Sequence, residues 1–115
     1  MKSSEIRFKI ELDDKNYPDK IFWEASDGTS KGLEESKAIT LSIWDHNKKE
    51  TLRIDLWGKD MPVDEMKRFY IDTIGGLANS LRTATNDEFM ANEMEKLCDT
   101  LVKHVQEEQN QQGDK

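Results

Sequence analysis

The sequence has little cysteine, little histidine and no long apolar run, and each shortage narrows the classes of protein it can belong to. A single cysteine, Cys98, cannot form an internal disulfide, which fits a reducing compartment. No cysteine or histidine has the spacing typical of a zinc site. The apolar runs are only a few residues long, far short of the roughly 20 that cross a bilayer. We therefore expect a cytoplasmic protein with no membrane insertion.

Positive charge is also in deficit. The chain has 17 Lys and Arg residues against 24 Asp and Glu residues, which gives a formal net charge of −7. A nucleic-acid-binding protein needs a basic surface, so we expect no nucleic-acid partner. No glycine-rich phosphate-binding motif is present, so we also expect no nucleotide cofactor. The length of 115 residues predicts one domain.

Hydrophobic periodicity predicts four strands followed by two helices. Apolar residues alternate with polar ones over 4–12, 20–26, 38–45 and 51–57, which is strand spacing. They recur at helical spacing over 62–83 and again to about 107. The order β-β-β-β-α-α predicts an α+β fold. We expect a four-stranded antiparallel meander sheet with both C-terminal helices packed on one face.

The segments that join or follow the predicted strands and helices give more specific predictions. The polar segment 27–36 is predicted to be the most mobile internal loop, with a short helical turn at 33–37. Thr85 and Glu88 have the spacing of a capping box, so Thr85 is predicted to be the N-cap of the second helix. The acidic, glutamine-rich segment 106–115 has no apolar residue. We expect a single α+β domain over 1–105 and a disordered tail over 106–115.

The reactive side chains do not form a recognisable catalytic or metal site. Cys98 lies in the apolar stripe of the second helix, which favours a core cysteine over a nucleophile. His46 and His104 are placed as solvated polar residues. An acidic turn could offer oxygens to calcium but lacks the EF-hand order, and turn chemistry explains it; its members are Asp13, Asp14, Asn16 and Asp19. We predict no catalytic residue, no cofactor and no metal.

An aromatic group on the outer face of the sheet is the most informative feature. Alternation places Phe22, Trp44 and Trp57 away from the face that the helices are expected to cover, beside Arg53 and Asp55. Tryptophan and arginine are enriched in binding hot spots, so these five residues are the predicted partner-binding site. Two plainer interpretations stay open. The rings could lie at sheet edges or under the 27–36 loop, and Arg53 and Asp55 could form an ordinary ion pair.

A long block at the junction of strand and helix resembles a known family. Residues 51–69 read TLRIDLWGKDMPVDEMKRF, and this block is similar to GldC, a small gliding-motility protein of gliding bacteria. The similarity extends to SEI at 4–6, LSIWD at 41–45 and RTAT at 82–85. The resemblance implies an accessory role in movement over surfaces, beside a larger envelope-spanning apparatus. It implies no known catalytic activity.

Three functions follow as hypotheses. The first is a non-enzymatic interaction or assembly domain whose partners are protein components of the gliding motility apparatus. The alternative is a domain that binds a small molecule or peptide in a pocket between sheet and helices, lined by Trp23, Met66 and Met94. The third is an enzyme that uses an unrecognised pair of carboxylates. A homodimer, through the sheet face or the second helix, is a further arrangement open to the chain.

Overall fold

The computed structural model describes residues 2–27 and 32–113. Its elements, in chain order, are β1 (Ile6–Leu12), β2 (Pro18–Ala25), β3 (Glu34–Ser36), β4 (Ala38–Trp44), β5 (Thr51–Trp57), α1 (Val63–Thr85) and α2 (Glu88–Gly113). The predicted α+β class, with antiparallel strands and two C-terminal helices, is confirmed. The chain divides into two compact units, Met1–Met61 with the strands and Pro62–Lys115 with the helices. A single domain over 1–105, and helices packed on a sheet, remain predictions.

The strands form two sheets, so the expected single four-stranded meander is wrong. One sheet has the order β1-β2-β3 and the other is the β4–β5 hairpin. The expected third strand forms as β4, but the unexpected strand β3 pairs with β2 in its place. The chain breaks between β3 and β4 at Lys37, where the Ser36 hydroxyl donates to the Ala38 carbonyl (2.8 Å) and accepts from the Ala38 N–H (3.3 Å). A side-chain hydroxyl thus takes the place of a ladder partner. The residues before the break pair with β2, and those after it pair with β5.

The loop between β2 and β4 differs from its prediction as well. The helical turn expected at 33–37 is absent, because Glu34–Ser36 forms β3 and pairs with Ile21–Trp23. A third strand can form here because β2 still has unpaired backbone groups on that side. Residues 28–31, in the middle of the segment expected to be mobile, lie outside the described residues.

The three-stranded sheet has a small apolar centre. Phe8 pairs with Trp23 and Ile10 pairs with Ile21, so alternation brings these four side chains to one face. Ile21 is fully buried, whereas Phe8 and Trp23 remain 41% and 38% exposed. Burial in this sheet therefore centres on its middle strand.

The two helices are joined by a short connection with a distinct cap on each side. Asn86 adopts a left-handed conformation (φ 59°) and its N–H donates to the Arg82 carbonyl, which ends α1. Asp87 then accepts the Met90 N–H at 3.0 Å. Asp87 is therefore the N-cap of α2, and the prediction of Thr85 is wrong because α1 extends through Thr85.

The helix pair leaves most of its apolar side chains accessible. Ala78 on α1 and Ala91 on α2 are buried. Arg82 bonds Glu88 at 3.0 Å and also pairs with Glu95, which ties the end of α1 to the start of α2. The helix α2 continues to Gly113, through most of the segment expected to be a disordered tail. Within the described residues, neither helix has a stretch long and apolar enough to cross a bilayer.

Candidate interaction surface

The β4–β5 hairpin has one polar face and one apolar face. Its register pairs Leu41 with Ile54 and Ser42 with Arg53, and all seven residue pairs follow without a shift. Because side chains alternate across a strand, each face takes every second residue. The apolar face holds Ile39, Leu41, Ile43, Leu52, Ile54 and Leu56. The opposite face, called here the hairpin polar face, holds Ala38, Thr40, Ser42, Trp44, Thr51, Arg53, Asp55 and Trp57.

Arg53 lies at the centre of the hairpin polar face and is held by three partners. Its guanidinium donates to the Ser42 hydroxyl at 2.6 Å, to the Thr40 hydroxyl at 2.6 Å and to Asp55 Oδ1 at 2.8 Å. The Thr40 hydroxyl also donates to Asp55. This hydrogen bond, followed by the pairing with Arg53, lowers the pKa of Asp55. The ion-pair interpretation is correct for these two residues, and it leaves the guanidinium oriented and charged.

The two tryptophans lie at opposite ends of this face. Trp44 is opposite Thr51 at the turn end, while Trp57 is opposite Ala38 at the other end. Thr51 and Trp57 are six positions apart, which corresponds to about 20 Å along a strand. Trp44 is 66% exposed and Trp57 is 53% exposed. Neither ring is buried under a loop, and the arginine network lies between them.

Phe22 lies on a different surface from the other four predicted residues. It belongs to β2, where it pairs with Lys9 on β1 and Glu35 on β3. Its neighbours on the same face include Arg7 and Glu24, which form an ion pair at 2.7 Å. The ring is half-buried. The structure therefore brings Trp44, Arg53, Asp55 and Trp57 together on one strand pair, and it places Phe22 on the other sheet.

A cleft at the Trp57 end is a feature that the sequence analysis missed. Its volume is about 370 Å³ and its lining comprises Tyr17, Pro18, Asp55, Leu56, Trp57, Gly58 and Lys59. Ligand pockets commonly begin at about 300 Å³, so this cleft is at the small end of that range. Tyr17 comes from the β1–β2 turn, and Pro18 is the first residue of β2. Only the folding of that turn onto the end of β5 brings them beside Trp57, and no local pattern indicates this.

Asp13 holds that turn in place. Its Oδ1 accepts the N–H groups of Lys15 (2.8 Å) and Tyr17 (2.9 Å), and its carboxylate pairs with Lys59 after β5. The hydrogen bonds with Lys59 and with the backbone lower the pKa of Asp13, and Asp13 raises the pKa of Lys59. The acidic turn therefore has a structural task, as turn chemistry predicts. Among residues 2–27 and 32–113, no three His, Cys, Asp or Glu side chains are grouped to hold a metal ion.

The remaining reactive side chains are dispersed. Cys98 is half-buried and its Sγ lies 3.7 Å from the Ile71 carbonyl oxygen in the helix pair. His104 lies 3.5 Å from Glu108, one turn further along α2. His46 is exposed in the β4–β5 turn. Cys98 and His104 lie six positions apart on α2, and His46 belongs to the other compact unit. Among the described residues no hydrogen bond joins any two of these three side chains, so they lack the bond that links a nucleophile to its base.

Comparison with known families decides the assignment that the sequence resemblance suggested. A family model described as gliding motility-associated protein GldC-like matches residues 18–107. The chain belongs to the GldC-like family. The region shared with the GldC-like model begins at β2 and includes the whole hairpin polar face and most of α2. No curated protein and no solved structure matches the chain. The GldC-like family therefore supplies an association with gliding motility.

Proposed function

We propose that this protein is a non-enzymatic accessory of the bacterial gliding motility machinery that acts as an interaction or assembly domain in the cytoplasm. Membership of the GldC-like family supports the link to gliding. The hairpin polar face supports the interaction role. The partners of this protein, in this proposal, are protein components of the motility apparatus. The family gives no support to the alternative of a small-molecule or peptide pocket between sheet and helices.

One observation carries this proposal. Two largely exposed tryptophans flank an arginine that is already oriented by three hydrogen bonds. An exposed indole removes a large apolar area from water when a partner covers it. A pre-oriented guanidinium loses less conformational entropy on binding than a free one, so it favours recognition of a carboxylate or an aromatic ring. The hairpin polar face therefore combines two residue types that are enriched in hot spots.

The interaction role is tested by recovering partners from cells that glide. We expect Trp44→Ala combined with Trp57→Ala to reduce recovery of crosslinked partners by at least tenfold, because hot-spot truncations typically cost about 2 kcal/mol or more each. The measurement is an affinity pull-down with the tagged full chain after crosslinking.

Phe89→Ala is the matched control. Phe89 is a 73% exposed aromatic residue on α2, so its removal deletes exposed apolar area from the other compact unit. It should leave recovery unchanged. Equal recovery by the double variant and the wild type, with both folded by circular dichroism, would reject the hairpin polar face as the binding surface.

A further inference from the structure

The strand β4 has a free edge that is unusual for its lack of charge. It pairs with β5 on one side only, and no other strand of the described residues pairs with its second edge. Its sequence, AITLSIW, contains no charged residue and no proline. Natural proteins usually protect an open strand edge with lysine, other charges, proline or a bulge. The edge strand β1 of the other sheet follows this rule, since it carries Arg7, Lys9 and Glu11.

The hydrogen bonds of the hairpin determine which backbone groups point to that free edge. The Asp45 N–H donates to the Glu50 carbonyl, and the Gly58 N–H donates to the Lys37 carbonyl. Since bonded pairs alternate in an antiparallel ladder, the odd-numbered residues of β4 bond β5. The N–H and C=O groups of Thr40, Ser42 and Trp44 therefore point away from β5. They form a row that is ready for another strand.

The strand is also complementary to itself. An antiparallel pairing of two copies about Leu41 places Ile39 opposite Ile43 and Thr40 opposite Ser42, so apolar residues meet on one face and hydroxyl residues on the other. At the ends, the large Trp44 of one copy lies opposite the small Ala38 of the second. The outward-pointing groups of Thr40 and Ser42 meet in bonded pairs, which gives about four hydrogen bonds between the copies.

The local charge also favours a second copy of this chain as the partner of the free β4 edge. Two chains that each carry a net charge of −7 repel one another, so a contact between copies needs a neutral strip. The strand β4 supplies one, and its nearest charges on β5, Arg53 and Asp55, neutralise each other. The Ser36 hydroxyl engages the backbone of Ala38, which confines the free row to the stretch after it. The available edge is therefore short, neutral and palindromic in pattern.

We propose that β4 pairs antiparallel with β4 of a second copy of this chain, with a two-fold axis at Leu41. The pairing joins two hairpins into a four-stranded sheet with the order β5-β4-β4-β5. Each face continues across the two-fold axis, so the hairpin polar faces of both copies lie side by side. This inference concerns the chain alone, and it stands independently of the role in gliding.

Sedimentation of the purified full chain gives the first test. The expected result is a species of twice 13.4 kDa that dissociates on dilution. A monomer at every concentration examined would overturn the proposal. Because no partner protein is present, this outcome says nothing against the interaction role, which the pull-down tests separately.

Cysteine crosslinking tests the register. In a Cys98→Ser background, Leu41→Cys places two thiols opposite each other across the axis, in a non-bonded pair with Cα atoms about 4.5 Å apart, which suits a disulfide. The matched control is Ile54→Cys, on the same face but one strand further out. In the proposed sheet, residue 54 of one copy and residue 54 of the other lie three strand spacings apart, about 14 Å, which is too far for a disulfide.

We expect mild oxidation to convert most of the Leu41→Cys variant to a covalent dimer, and little of the Ile54→Cys variant. A mixture of Ile39→Cys and Ile43→Cys should crosslink more than either variant alone, because these positions face each other in the proposed register. Equal crosslinking of Leu41→Cys and Ile54→Cys would overturn the register. Circular dichroism of each variant confirms that it is folded.

Discussion

The two sheets of Met1–Met61 differ in what they bury and in what they present. The three-stranded sheet encloses Ile21 completely and protects its outer strand with charged side chains. The β4–β5 hairpin has no buried residue in either strand and leaves an uncharged edge. Its polar face is nevertheless well ordered by the Arg53 network. The three-stranded sheet thus contributes buried apolar area, whereas the β4–β5 hairpin leaves its side chains and one strand edge accessible for contact.

The largest effect expected from this difference is on stability. Ile21→Ala removes a fully buried side chain, so it should lower the free energy of unfolding by about 2–5 kcal/mol. Ile54→Ala makes the same chemical change at a side chain that is 48% exposed. It should cost roughly 1 kcal/mol, because much of its area is already in contact with water. Urea denaturation followed by circular dichroism measures both values.

The comparison of these two variants is the informative quantity. Each loses the same three carbon atoms, so the side-chain chemistry cancels and only the surroundings differ. Similar losses for Ile21→Ala and Ile54→Ala would show that the hairpin is buried as deeply as the three-stranded sheet. The inference that the three-stranded sheet provides stability while the hairpin exposes a binding surface would then be rejected.

A smaller, pH-dependent effect is expected where the two sheets are linked, at Asp13 and Lys59. The folded state lowers the pKa of Asp13 below its ordinary value of 3.8 and raises the pKa of Lys59 above 10.5. The Asp13 contribution is therefore present above pH 3.8 and is lost as the pH falls through the folded value. The Lys59 contribution is present below pH 10.5 and is lost as the pH rises through its folded value.

Asp13→Asn tests this link, because the amide keeps an acceptor for the turn but carries no charge. The urea midpoint of the variant should be lower than that of the wild type at pH 7, and the gap should close below pH 3.8. Asp14→Asn, in the same turn, makes none of these contacts and should show no such gap. A gap that persists undiminished in acid would mean that the Asp13 charge is not its cause.

Much of the strand and helix pattern could be predicted from the sequence, because the periodicities are regular. The strand β5 begins at Thr51 and ends at Trp57, as alternation predicts. The same alternation places Trp44, Arg53, Asp55 and Trp57 on one face. These features depend on neighbours along the chain and on one hairpin turn, so local reasoning suffices.

The missed features depend on contacts between distant residues or on competition for a backbone group. Nothing in the pattern of 34–44 shows that the Ser36 hydroxyl bonds Ala38, or that Glu34–Ser36 forms an additional strand that pairs with β2 in place of the expected third strand. The cleft beside Trp57 requires the β1–β2 turn to fold onto the end of β5, through the pair of Asp13 and Lys59. The N-cap of α2 is Asp87 instead of the predicted Thr85, because Asn86 adopts the left-handed conformation that ends α1.

If the hairpin polar face serves the gliding machinery, as we propose, its loss should be visible in gliding itself. Cells whose only copy carries Trp44→Ala and Trp57→Ala should lose most of their gliding speed while they keep wild-type levels of the protein. Cells that carry Phe89→Ala should glide normally. Normal gliding by the double variant at normal protein levels would show that the hairpin polar face is not needed for gliding.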